Sequence, residues 1–176
     1  TLLLITGFFS SQTWGFVVPV KQVEYEGLVL RNDGLYYKEF TDIPFTGEIS
    51  GLKGSYKPNG KFTFKNGKKD GVHERYYDNG QLSSKVNFKD GQKDGVWERY
   101  YDNGQLRLKE NYKDGELDGL DESYYENGQL RLKGNYKDGK PEGLHEWYYE
   151  NGQLRKKENY KDGKSDGVQE SYYENG

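Results

Sequence analysis

The sequence predicts an all-β fold: an elongated, repetitive array of antiparallel β-hairpins in a single-sheet meander, two strands per 24-residue repeat. Three observations predict it. The signature YY(D/E)NG begins at Tyr76, Tyr100, Tyr124, Tyr148 and Tyr172, each 24 residues after the last, and a fixed period in this range marks a repeat array. Two turn dipeptides alternate along the array, Asn-Gly (Asn79, Asn103, Asn127, Asn151) and Asp-Gly (Asp90, Asp114, Asp138, Asp162). The runs between them are about seven residues long, a common strand length. Opposite charges then fall in register across the Asn-Gly turns.

The first segment, residues 1–20, carries no charge, and its apolar residues cluster as LLLI, FF and FVV. Polar residues interrupt it, which makes it a poor membrane span. It reads as the apolar and cleavage regions of a secretory signal without its basic start, with cleavage near Gly15. The competing reading is an apolar strand capping the array. Residues 21–60 are irregular. Val23–Leu30 and Gly34–Phe40 read as short strands, and Ile43–Gly51 as a proline break followed by a turn glycine. Terminal repeats of an array are atypical because they cap it, so this region reads as degenerate repeats. It includes a worn signature, Tyr56–Gly60 (YKPNG).

Residues 61–176 are regular and stop inside a repeat. Asn-Gly and Asp-Gly suit two-residue hairpin turns, in which both central residues take positive φ. A two-residue turn at Asn103–Gly104 sets Glu98 opposite Lys109, Tyr101 opposite Leu106 and Gly95 opposite Tyr112. The same rule pairs Glu74 with Lys85, Glu122 with Lys133 and Glu146 with Lys157, and facing opposite charges support a register. A two-residue turn at Asp114–Gly115 sets Glu122 opposite Arg107, so each interior Glu sits between basic residues. One face then carries Tyr101, Leu106, Leu108 and Tyr112; the other carries Val96, Glu98, Tyr100, Arg107, Lys109 and Asn111. Tyrosine opposite glycine covers bare backbone. Ten strands at the usual spacing make a slab about 45 Å long.

Composition narrows the function classes. Hydrophobic residues at 32% and charged residues at 31% alone favour disorder. A net charge of only −3, with 17 Tyr, 8 Phe and 3 Trp placed largely by a strict period, favours a folded chain. Without cysteine there are no disulfides, cysteine zinc sites or thiol nucleophile. The slightly acidic balance gives no electrostatic case for nucleic acid.

The elements YYENGQL, NYKDGK and the following G-(V/L)-x-E resemble the MORN-repeat variant found in bacterial proteins, including the YwqK-family antitoxins. Gly34–Gly51 (GLYYKEFTDIPFTGEISG) resembles the segment that often precedes such repeats. The resemblance covers about residues 34–176 and implies an array of β-hairpins, usually without catalytic residues. Ordinary MORN repeats also occur beside lipid-kinase domains. This sequence has no Gly-rich phosphate loop, its glycines punctuate turns, and a kinase assignment is rejected.

No catalytic, metal or cofactor site is expected. The acidic turns at Lys89–Gly95 and Lys113–Gly119 lack the ordered ligand series of a calcium loop. His73 and His145 share a repeat position three repeats apart, too far to share a metal, and read as substituted surface positions. The Glu–Lys pairs serve register and solubility. The expected interaction face combines a ladder of Tyr77, Tyr101, Tyr125 and Tyr149 with neighbours that differ between repeats: His73, Trp97, Asp121 and His145 at one position, Arg75, Arg99, Ser123 and Trp147 two residues on, of which His73, Trp97, His145, Arg99 and Trp147 are the candidate contacts. Trp and Arg are favoured interface anchors. The alternative is that the tyrosines only cover sheet backbone. The expected function is non-catalytic binding of a protein, glycan or membrane-surface partner by an exported bacterial protein; the alternative is a cytosolic antitoxin neutralising a toxin. No small-molecule substrate is expected.

Overall fold

The computed structural model describes residues 22–25, 27–51 and 59–175. The segment 1–20, with its signal-like pattern, and Tyr56–Pro58 of the worn signature lie outside the described residues. The described residues form sixteen strands and no helix. In chain order they are β1 (Gln22–Tyr25), β2 (Leu28–Leu30), β3 (Tyr36–Lys38), β4 (Gly47–Ser50), β5 (Gly60–Lys65), β6 (Lys68–Lys69), β7 (Gly71–Tyr76) and β8 (Leu82–Lys89). There follow β9 (Gln92–Tyr100), β10 (Leu106–Lys113), β11 (Glu116–Tyr124), β12 (Leu130–Lys137), β13 (Lys140–Tyr148), β14 (Leu154–Lys161), β15 (Lys164–Ser165) and β16 (Glu170–Ser171). β1–β3 make a three-stranded sheet, and β4–β16 one 13-stranded antiparallel meander. Val23–Leu30, expected as one strand, is a hairpin, β1 pairing with β2 through a turn at Gly27.

The Asp-Gly turns are the two-residue type expected. Asp90, Asp114, Asp138 and Asp162 all have φ near +50°, and the glycine after each is also positive. The Asn-Gly turns differ. Only the glycine is left-handed, and the Gly104 amide bonds Tyr101 O at 3.0 Å while the Tyr101 amide bonds Gln105 O at 2.8 Å. This is a type I turn over Tyr101–Gly104 closed by a glycine bulge. Leu106 therefore faces Tyr100, not Tyr101, but the strands then return to the expected pairing, Glu98 with Lys109 and Gly95 with Tyr112.

A second correction concerns Glu122, which faces Lys109 instead of Arg107. Beside the turn, Tyr112 pairs with Leu117; beyond it, Glu110 pairs with Asp121. Three residues, Asp118–Leu120, thus oppose Asn111 alone, and Gly119 takes φ 114° in this bulge. Asn111 Nδ2 spans the bulge by donating to Leu120 O at 3.0 Å. Two extra residues shift the partner but preserve which face each side chain occupies. The expected faces survive for that reason.

The corrected register builds a charge ladder along one face. Lys61, Glu74, Lys85, Glu98, Lys109, Glu122, Lys133, Glu146, Lys157 and Glu170 are successive cross-strand neighbours. Glu74–Lys85, Glu98–Lys109 and Glu122–Lys133 close to 3.4, 3.9 and 3.7 Å. Tyrosines two residues on donate to the same carboxylates, Tyr100 to Glu98 and Tyr124 to Glu122 at 2.9 Å. Each such pair adds little alone, but the alternation penalises every slipped register.

The turn edge binds repeat to repeat. The hydroxyls of Tyr77, Tyr101, Tyr125 and Tyr149 donate to the backbone carbonyls of Tyr100, Tyr124, Tyr148 and Tyr172, at 2.6–2.9 Å. Asn79 Oδ1 accepts from the Gln81 amide at 2.9 Å, while its Nδ2 donates to Asp102 O in the next repeat at 2.9 Å. The Gln81 side chain lies against Gly104, where an added Cβ would come within 2.7 Å of Oε1. The signature YY(D/E)NGQ is thus a turn that grips the following turn. Tyr101→Phe removes one such bond and is expected to cost about 1 kcal/mol. Urea unfolding checks this, and an unchanged midpoint would contradict it.

An apolar core sits at the N-terminal end. Leu28, Tyr36, Phe62 and Phe64 are buried, with Leu30, Phe45 and Ile49 packed against them. β2 and β3 therefore cover the start of the face opposite the charge ladder.

Candidate functional site

The face opposite the charge ladder is where repeats differ. Its central row, in strand order, is His73, Val86, Trp97, Glu110, Asp121, Gly134, His145 and Glu158. A second row runs Arg75, Ser84, Arg99, Leu108, Ser123, Leu132, Trp147 and Lys156. A regular register places them, while their identities follow no repeat.

Trp97 is half-buried. Its Nε1 donates to Ser84 Oγ at 3.1 Å, and its ring stands 6.0 Å from that of Tyr112. Lys93 Nζ lies 3.3 Å from the Trp97 ring centroid and 4.3 Å from that of Tyr112. Arg99 is exposed, with its guanidinium carbon 5.7 Å from the same indole. Trp147 lies on β13 with Lys156 Nζ 4.7 Å above its ring. Four strand spacings separate it from Trp97 and Arg99, roughly 19 Å. One ligand must therefore be extended to touch both.

The other expected residues play different parts. His73 and His145 are not surface positions: they are 4% and 2% exposed. His73 packs among Phe62, Phe64 and Phe88, and its Nε2 meets Thr63 O at 2.7 Å. His145 lies between Tyr136 and Tyr160 over the bare backbone of Gly134. Aromatic neighbours bury both, and for His145 the missing side chain of Gly134 leaves room for the imidazole. Tyr77, Tyr101, Tyr125 and Tyr149 form their ladder at the turn edge, with hydroxyls committed to backbone carbonyls.

Lys93 and Glu110 were missed, and Asp121 was seen only as one of the neighbours that differ between repeats. The available signal was variation between repeats: Lys93 corresponds to Lys69, Leu117 and Pro141, and Glu110 to Val86, Gly134 and Glu158. Asp121 is 7% exposed and faces Glu110 across β10 and β11. Burial pushes its carboxyl up to about 6, with Glu110 and Glu122 adding to the shift. Burial also lowers Lys93 and His145, whereas Lys156 holds Glu158 down to about 2.

The raised acid gives a signed prediction. Well below its ordinary value of 3.8 Asp121 is protonated in both states, so its penalty is absent there. The penalty grows as pH rises from about 4 to about 6 and is complete above, because only the folded state resists ionisation. Asp121→Asn is expected to stabilise the fold by about 2 kcal/mol at pH 8 and by far less at pH 4. Urea titrations at the two pH values check this; equal effects would contradict it.

Among the described residues no group of three or more His, Asp or Glu is placed to hold a metal. The chemistry this face offers is aromatic, cationic and carboxylate contact. No curated protein matches the chain. The MORN repeat variant model matches residues 69–90, 93–114, 117–138, 141–162 and 165–176. Four of these segments end at the aspartate of an Asp-Gly turn, so one family unit spans two strands and the Asn-Gly turn between them. With more than half its length so matched, the chain belongs to the MORN repeat variant family.

Proposed function

We propose that the chain is a non-catalytic binding platform that takes a protein partner on the face carrying Trp97, Arg99 and Trp147. The observation that carries this is the contrast within one sheet. Charge-ladder and turn-edge positions repeat and satisfy one another, whereas Trp97, Arg99 and Trp147 stand on a regular scaffold at positions that do not repeat. Large aromatic and guanidinium groups so placed supply most of the energy of an interface. Export from a bacterial cell is the accompanying proposal, supported by the uncharged stretch Thr1–Val20. A cytosolic antitoxin is the second reading, favoured by the resemblance of the repeats to those of YwqK-family antitoxins.

The test combines location with substitution. The full-length protein is expressed in its native cell, fractionated and exposed to external protease. Recovery in the envelope or medium supports export, and a protected cytosolic chain that co-purifies with a toxin supports the antitoxin reading instead. In either compartment, Trp97→Ala, Arg99→Ala and Trp147→Ala together are expected to weaken partner binding at least 100-fold, about 3 kcal/mol. A folded triple variant with full binding would overturn the assignment of the face.

A further inference from the structure

We infer that Trp97, Tyr112, Glu110 and Asp121 form a recognition site for a primary ammonium group, the chemistry of a lysine side chain on a protein partner. This inference rests on the reading of that face as the binding surface. Its first support is a cation already in place. Lys93 Nζ lies 3.3 Å from the Trp97 centroid and 4.3 Å from that of Tyr112, and the two rings stand 61° apart. Two ring faces meeting at a corner attract a cation through their quadrupoles. Here the chain's own lysine stands in for the ligand.

The second support is a shortage of donors beside that corner. Glu110 and Asp121 face each other directly, an unfavourable like-charge rung. Glu110 Oε2 accepts from the Tyr112 hydroxyl at 2.8 Å, but Asp121 Oδ1 is buried with no hydrogen-bond partner. Further along the row, His145 Nδ1 donates to Gly143 O at 3.4 Å, which leaves Nε2 as a second buried acceptor without a partner. Leaving such acceptors unpaired is costly. A ligand that donates hydrogen bonds relieves that cost, which a quaternary ammonium cannot do. Burial also pushes the Asp121 carboxyl up, in keeping with a carboxylate short of a cation.

The combination occurs in one repeat. One repeat on, the residues at the positions of Lys93, Trp97, Glu110 and Tyr112 are Leu117, Asp121, Gly134 and Tyr136. The site is therefore a local feature of β9–β11. A partner lysine occupies the corner by displacing Lys93, and its N–H groups reach the carboxylate rung.

The test removes the internal cation. Lys93→Ala is titrated with n-butylammonium chloride at constant ionic strength, and the Trp97 indole N–H resonance is followed. A saturable shift is expected, at least 10-fold weaker in the wild type, where Lys93 competes, and at least 10-fold weaker in Lys93→Ala/Glu110→Gln. Tetramethylammonium and sodium are expected to give no saturable shift. If Lys93→Ala does not fold, Lys93→Met keeps the packed stem and serves in its place. No saturable shift in the folded variant, or an equal response to tetramethylammonium, would overturn the inference. Saturable butylammonium binding, together with undiminished partner binding by the Trp97/Arg99/Trp147 triple variant, would keep the ammonium site but overturn its assignment to a partner's lysine, and would remove the proposed function.

Discussion

Gly134→Ala is expected to cost the fold about 3 kcal/mol, although alanine is tolerated in most strands. The backbone there is ordinary, so the cost is steric. An added Cβ would lie 2.1 Å from His145 Cδ2 and 2.4 Å from Nε2. The imidazole has little room to retreat, being 2% exposed and held by Tyr136 at 5.4 Å and Tyr160 at 4.8 Å. In the preceding repeats the corresponding strand position carries Val86 before Trp97 and Glu110 before Asp121. Only before His145 is it bare. The pair should therefore couple: Gly134→Ala with His145→Ala should be less destabilised than the sum of the singles by about 2 kcal/mol. Urea unfolding of the four proteins measures this. A single variant within 0.5 kcal/mol of wild type would show that the ring moves freely.

Phe62→Ala is expected to cost about 3–5 kcal/mol, because it empties the centre of the apolar cluster at the N-terminal end of the array. Phe62 is 1% exposed and stacks edge-on to His73 at 5.5 Å. The location of the loss matters as much as its size. In an array each repeat touches only its neighbours, so damage at one end spreads weakly to the other. Hydrogen exchange should show lost protection in β2–β7 with β10–β13 little changed. Uniform loss along all strands would mean a single cooperative unit.

The two predictions concern different kinds of position, and the sequence reveals them unequally. Turn dipeptides, strand lengths and the Glu–Lys pairing were legible because they repeat with a fixed period. The face assignment was also legible, and it survived two register errors for a physical reason. A bulge of two residues at Gly119 changes the partner of Glu122 without changing its side. What the sequence concealed was conformation that composition does not distinguish. Asn-Gly and Asp-Gly look alike as dipeptides, yet Asp114 is left-handed and Asn103 is not. The asparagine side chain makes the difference, bonding the amide two residues on and the next repeat at once.

The candidate site was less legible than the fold. Trp97, Arg99 and Trp147 stood out because the residues at their two positions vary along the array, and they lie on one face. His73 and His145 stood out in the same way, but burial depends on what lies opposite, and the space over Gly134 appears only once β12 and β13 are aligned. The tyrosine ladder was visible as a periodicity. Its hydroxyls turn out to serve the repeat-to-repeat joint.

The central claim is that repeated positions hold the array together while the non-repeating face recognises a partner. Site-specific photo-crosslinking in the native cell tests this most directly, with the crosslinker at position 99 on the non-repeating face and, separately, at position 96 on the charge-ladder face. Crosslinking to one defined partner from position 99 and not from position 96 is the predicted result. The same partner captured from position 96, with none from position 99, would contradict it and place recognition on the ladder.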